Sequence, residues 1–152
     1  MKRTIMAALA ACLLMNTTLL LADDDLQTVA SSHDATTTMD RFEQAVISAG
    51  FDVFARIDHQ QNAKAAGLEM DASQLLVFGK PKAGTLMMQA NPRIGLALPL
   101  KVLVWEDNKG KVWLSYQKPA DLLHDFNIEG HDKMASNIAM GLAKLSGKAT
   151  QK

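Results

Sequence analysis

The stretch "LPLKVLVWEDNKGKVWLSYQ", Leu98–Gln117, decides the fold because it holds two strands and the turn that joins them. Asp107 opens a type I turn, and Gly110 suits the left-handed conformation that follows such a turn and forms a bulge. The bulge fixes the register of the two strands, so that Trp105 lies opposite Trp113. The sequence therefore predicts an antiparallel hairpin with two tryptophans paired across it.

The two faces of this hairpin differ in chemistry, because side chains alternate between the faces of a strand. One face is apolar throughout and can receive helices; it comprises Leu100, Val102, Val104, Val112, Leu114 and Tyr116. The opposite face holds Lys101, Leu103, Trp105, Trp113 and Ser115, and we expect Phe54 and Arg56 to join it from a neighbouring strand. The chain offers no third layer to cover this second face, so we expect a subunit interface or a ligand surface there. A tryptophan pair that only stiffens the hairpin is the alternative.

Outside the hairpin, strands and helices follow one another in a simple order. The alternating stretches "LQTVASSH", "FDVFARID" and "QLLVFGK" predict three strands. A looser segment follows them through Asn91-Pro92, and a long strand is expected over "IGLALPLKVLVWE". A polar connection with a turn or two of helix separates the second strand from the third.

Helical periodicity appears near both ends of the chain. Met39, Phe42 and Val46 recur at spacings of three and four, which predicts a helix that ends at Gly50. A short helical piece is expected from Pro119, and a final helix from about Asp132 to Gly147. We predict one α+β domain over residues 26–147, in the order strand, helix, four strands and helix, with an antiparallel sheet and helices packed on one face.

The first 22 residues have the layout of a secretory signal peptide. Lys2 and Arg3 precede an apolar run, and Ala22 offers a small residue before three aspartates. We expect cleavage after Ala22, a periplasmic or secreted protein, and no stable membrane anchor afterwards; an uncleaved transmembrane anchor is the alternative. "LAAC", ending at Cys12, also resembles a lipoprotein box, in which Cys12 would be lipidated. Cleavage at Ala22 leaves 14 basic and 16 acidic residues, and without a dense basic cluster we expect no nucleic-acid partner.

The Gly79-Lys80 pair is not the end of a phosphate loop. Such a loop needs a glycine five residues before Gly79 and a serine or threonine after Lys80, whereas Gln74 and Pro81 stand there. The pair is typical of a turn that ends a strand.

The sequence predicts no catalytic nucleophile, metal site or cofactor. The histidines, His33, His59, His124 and His131, lack the spacing of converging ligands. A methionine-rich exported protein suggests copper binding, but core packing explains the methionines of the mature chain better. With Cys12 removed, no thiol is left, and no serine stands in the setting of a nucleophile elbow.

The stretches "RIDH", "LLVFGKPKAGT", "LPLKVLVWED" and "GKVWLSY" together resemble the bacterial domain-of-unknown-function family numbered 302 (DUF302). The resemblance runs from about Leu26 to Gly147. It implies an α+β domain of the TATA-binding-protein-like fold, often dimeric, and no assigned activity. Lys80 stands where the family usually has asparagine, Ala97 where an acid is frequent, and Asp125-Phe126 where Arg-His is expected.

Taken together, these features favour an exported, homodimeric binding or accessory domain without enzymatic activity and with an unassigned small-molecule ligand. The rival hypothesis is a small-molecule enzyme or metal-handling protein that uses Asp58, His59 and Lys101. The ligand or interface candidates are Arg56, Asp58, His59, Lys101, Trp105 and Trp113. A polar pocket that holds Asp58, His59 and Lys101 would favour the rival.

Overall fold

A computed structural model describes residues 25–128, 130 and 132–152, so the predicted leader and His131 lie outside the described residues. The elements in chain order are β1 (Leu26–Ala30), α1 (Ala35–Ser48), β2 (Asp52–Asp58), α2 (His59–Ala65), β3 (Ser73–Gly79), α3 (Pro81–Ala90), a 3-10 helix (Pro92–Leu96), β4 (Leu100–Glu106), β5 (Val112–Gln117), α4 (Pro119–Asp125) and α5 (Asp132–Thr150). The predicted α+β order is confirmed, with α2, α3 and α4 inserted between or after the strands.

The strands form one antiparallel sheet in the order β1-β5-β4-β3-β2. The β4–β5 hairpin has the predicted register, with Trp105 opposite Trp113. Gly110 has a φ of +74°, and its N–H donates to the carbonyl of Asp107 at 2.9 Å. The left-handed glycine therefore closes the turn as the sequence predicts.

Helices α1 and α5 pack together on one face of the sheet. The predicted apolar face of the hairpin points toward them, and Val102, Val104 and Leu114 are fully buried there. Phe42 of α1 meets Phe78 of β3 edge to face, with ring centroids 5.5 Å apart. This apolar cluster is the main core, and it fixes which face of the sheet is left open.

The expectation of a loose segment followed by a long strand was wrong for residues 81–99. Pro81 begins α3, a position where proline fits because the first turn of a helix does not use that N–H. The side chain of Asn91 caps the 3-10 helix by accepting from the Arg93 N–H at 3.0 Å. The strand therefore starts only at Leu100, after two helical elements.

A second, smaller core cluster forms where α3, the 3-10 helix, α4 and the start of α5 meet. Its buried members are Met87, Ile94, Leu122, Leu123, Ile128 and Ala135. The Asn91 side chain ties this region together by donating to the Phe126 carbonyl at 2.7 Å. Helix α5 runs on to Thr150 instead of ending at Gly147 as expected.

Candidate functional site

The paired tryptophans lie on the sheet face that points away from α1 and α5, which we call the open face. Their ring centroids are 6.3 Å apart and the ring planes differ by 24°. The Trp105 indole N–H donates to the Ser115 hydroxyl at 3.0 Å, and that of Trp113 donates to the Asp107 carboxylate at 2.9 Å. Because both polar atoms already have partners within the chain, the ring surfaces present apolar area that can be buried without leaving a donor unpaired.

Polar contacts hold the tryptophans in place. Ser115 is buried and hydrogen-bonds to the Thr28 hydroxyl at 2.9 Å, which links β5 to the edge strand β1. The Lys111 ammonium lies 4.3 Å from the Trp113 ring centre, within the range of a cation–π contact. Each ring is thus oriented by neighbours instead of being free to rotate into solvent.

Asp107 is the acid beside this pair. Its carboxylate accepts from the Trp113 indole and from the backbone N–H groups of Lys111 at 3.0 Å and Lys109 at 2.9 Å. These bonds favour the ionised form, so they hold the pKa of Asp107 below its ordinary value, with the Trp113 bond contributing most. Trp113 therefore has a carboxylate at its indole N–H and the Lys111 ammonium over its ring.

The rest of the open face is apolar and only partly covered. Its further members from β2, β3 and β4 are Ile57, Leu75, Val77 and Leu103. These side chains are half-buried, in contrast to the fully buried residues that face α1 and α5. The open face therefore carries half-buried apolar side chains beside the tryptophan pair, together with the polar residues Lys101 and Ser115.

Arg56 does not lie on the open face, so that expectation was wrong. The pairing of β2 with β3 shifts by one residue between Val53 and Ala55, which reverses the alternation and sets Arg56 opposite Leu76 on the helix side. The predicted alternation assumed an unbroken strand. Phe54 stands at the shift without a paired residue on β3, and its ring would lie 3.5 Å from a Cβ on Gly79.

On the helix side, Arg56 forms a compact polar network. One guanidinium nitrogen donates to Asp40 at 2.6 Å and to Glu43 at 2.9 Å, both on α1. The other two nitrogens donate to the side-chain oxygen of Gln74 at 3.1 and 2.6 Å. Burial opposes the charged form of Arg56, but the two carboxylates outweigh it and raise its pKa. The network holds α1 to the edge of the sheet.

Asp58, His59 and Lys101 do not form one pocket. Asp58 caps α2 by accepting from the Gln61 N–H at 2.9 Å, and His59 is the first residue of that helix. Asp58 pairs with Gln74, whereas Lys101 pairs with Val77 on the other side of β3. Asp58 and Lys101 are therefore separated by roughly 10 Å along the strands in addition to two strand spacings of about 5 Å.

Lys101 has local partners instead. Its ammonium donates to the Ala97 carbonyl at 2.7 Å and to the Pro99 carbonyl at 3.0 Å. Partial burial disfavours the charged form and lowers the pKa of Lys101. The side chain ties the end of the 3-10 helix to the start of β4.

The described residues form neither a metal-binding cluster nor a membrane-spanning helix. Within residues 25–128, 130 and 132–152, no three His, Cys, Asp or Glu side chains come together as a metal site would require. In the same part of the chain, no helix is long and apolar enough to cross a membrane.

A cavity of about 500 Å³ lies between the two core clusters, and the sequence reasoning missed it. Its walls come from α3, α5 and the adjacent ends of β3 and β4, and include Phe51, Met87, Leu98, Met134 and Ile138. The spacing of Ala83 and Met87 could have indicated α3. The cavity itself could not be predicted, because its walls come from residues 51–142 and meet only through tertiary packing.

Comparisons with known proteins agree with this fold. The sequence model of a family described as "Domain of unknown function DUF302" matches residues 27–147. The crystal structure of an uncharacterized conserved DUF302 protein from Bacillus stearothermophilus superposes with a TM-score of 0.74 at 23% identity, covering 83% of this chain and 98% of that one. This likeness shows the fold.

Curated relatives are longer than this chain. "Fluoride-specific ion channel FluC 1" of Brucella suis biovar 1 (strain 1330) is 44% identical over 128 residues, which cover 84% of this chain and 48% of that protein. "Fluoride-specific ion channel FluC 1" of Brucella abortus biovar 1 (strain 9-941) is also 44% identical over 128 residues, 46% of its length. The chain spans about half the length of the curated relatives it matches.

Proposed function

The chain belongs to the DUF302 family, and from that premise we propose that it is an exported accessory domain that binds a second copy of itself through the open face. The observation that carries this proposal is the stacked pair of Trp105 and Trp113, whose indole donors are satisfied within the chain. Tryptophan is enriched among the residues that dominate protein interfaces. This stacked pair of half-buried rings on the open face is the feature of the described residues that most resembles such a centre.

The charges beside the tryptophans favour a second copy over an unrelated partner. Asp107 and Lys111 flank the Trp113 ring with opposite signs. A two-fold axis repeats the same surface on both copies, so it can bring the base of one copy toward the acid of the other. The face is therefore complementary to itself both in apolar area and in charge.

An accessory role is supported by the occurrence of this sequence within longer proteins. The Brucella relatives contain about as much sequence outside the match as inside it. The channel activity in their names describes those whole proteins, and we propose for this chain only the role of a module that binds and assists. The separate settings of Asp58, His59 and Lys101 give the enzymatic rival no shared pocket.

Replacement of Trp113 by alanine tests the interface. We expect the variant to shift from dimer toward monomer in sedimentation equilibrium, with the dissociation constant raised at least ~30-fold, since a central aromatic contributes about 2 kcal/mol or more. Ile47→Ala is the control, because Ile47 is a 49% exposed apolar residue on α1, in the opposite layer. Far-UV circular dichroism should show both variants folded. An unchanged dimer in the folded Trp113→Ala protein, or a monomeric parent protein, would sink the proposal.

A further inference from the structure

The cavity between the two core clusters is lined mainly by apolar side chains. Leu100 and Leu142 come from the side of the main core, whereas Met87, Leu98 and Met134 come from the smaller cluster. At about 500 Å³ it falls within the size range of ligand pockets, roughly 300–1,000 Å³. The two clusters thus separate around a space instead of merging into one core.

Two helical glycines keep this space open. Gly141 lies in the middle of α5, where glycine destabilises a helix relative to alanine. A Cβ on Gly141 would meet no atom within 4 Å, so close packing does not require a glycine there. Gly84 of α3, on the facing wall, would place a Cβ no closer than 3.9 Å to Leu98. Both helices therefore omit side chains where side chains would fill the cavity.

The charge of the side chains that line the cavity indicates which class of ligand it would bind. Among the described residues that line the cavity, Lys80 is the single charged one and none is an acid. Its ammonium lies 4.5 Å from the Phe51 ring centre, at the wall of the cavity. Helix α3 begins at the next residue without a side-chain cap, so its positive end adds to the charge of Lys80.

We propose that this cavity binds a single-chain amphiphile with one anionic head, of which a medium-chain carboxylate is the simplest member. The apolar chain lies between Gly84 and Gly141, and the carboxylate pairs with Lys80. This inference names a ligand class and rests on the proposed role as a binding domain. It uses walls other than the tryptophan pair, so the two proposals can fail separately.

Calorimetric titration with decanoate, below its micelle concentration, tests the assignment, and decanol serves as the uncharged probe. We expect saturable 1:1 binding of decanoate, and Lys80→Gln should weaken it at least ~5-fold while leaving decanol unchanged. Gly141→Leu fills the cavity and should abolish binding of both probes. Ala143→Leu, an exposed position two residues further along α5, is the matched control and should bind normally.

Several outcomes would overturn this assignment. Absence of saturable decanoate binding by the parent protein refutes it, and so does full affinity in a folded Gly141→Leu protein. If Gly141→Leu does not fold, equal decanoate affinity in Lys80→Gln and the parent still refutes it. Binding to anionic phospholipid vesicles but not to decanoate would indicate that the protein binds a membrane surface instead of a free amphiphile. If the parent does not bind decanoate and Gly141→Leu loses the dimer, the occupant of the cavity is a second copy of the chain. Retained decanoate binding in Trp113→Ala separates this inference from the interface proposal.

Discussion

Arg56 joins three elements through one guanidinium group. From β2 it reaches Asp40 and Glu43 on α1, and it also bonds to Gln74 on β3. Gln74 is 7% exposed, so the Arg56 bonds satisfy a buried amide oxygen that water cannot readily reach. A charged residue on the helix side is therefore explained by the partners that converge on it.

We predict that Arg56→Leu lowers the free energy of unfolding by about 1–3 kcal/mol, because it leaves the Gln74 oxygen buried without its donors. Urea denaturation followed by circular dichroism measures this change. Arg93→Leu is the control, since Arg93 is exposed on the 3-10 helix and should change stability little. Equal losses in the two variants would show that the network contributes nothing specific.

A secondary-structure element can be predicted from the sequence when residues within or next to it fix its conformation. The β4–β5 hairpin could be predicted because Asp107 and Gly110 fix turn type and register within a few residues. Helix α3 was missed because proline and glycine near a strand end also suit a loop. The side of Arg56 was missed because the shift in β2 depends on pairing with β3, which its own alternation does not reveal.

The hairpin turn should make stability depend on pH through Asp107. The pKa of Asp107 is lowered in the folded state. Its ionised carboxylate therefore adds to the free energy of unfolding above the pKa of the unfolded chain, about 3.9, and this stabilisation is lost as the pH falls through the folded-state pKa. Asp107→Asn loses the acceptor for the Trp113 indole and should be less stable than the parent at pH 7. We expect that difference to shrink below pH 4 in urea titrations. Asn108→Ala, a non-titrating change in the same turn, should show the same difference at both pH values.

The open face and the cavity both leave apolar surface available, and they differ in how far the sequence predicts them. The open face follows from the alternation of one hairpin, so the tryptophan pair could be predicted. The cavity lies between two core clusters whose members are far apart in the chain. It forms only where α3, α5 and the ends of β3 and β4 surround a common space, and no local sequence pattern predicts that arrangement.

The proposed export of the protein depends on how its N-terminus is processed. The N-terminus has a basic start at Lys2 and Arg3 followed by an apolar run. Removal of residues 1–22 is expected, because Ala22 is the small residue that signal peptidase accepts at the cleavage site. Intact-mass measurement of protein from the periplasm should give a chain that begins at Asp23. Ala22→Trp should block this cleavage, whereas Cys12→Ala should leave it unchanged. A chain that begins at a lipidated Cys12 would assign the protein to a membrane surface instead, and a full-length chain would contradict export by this signal.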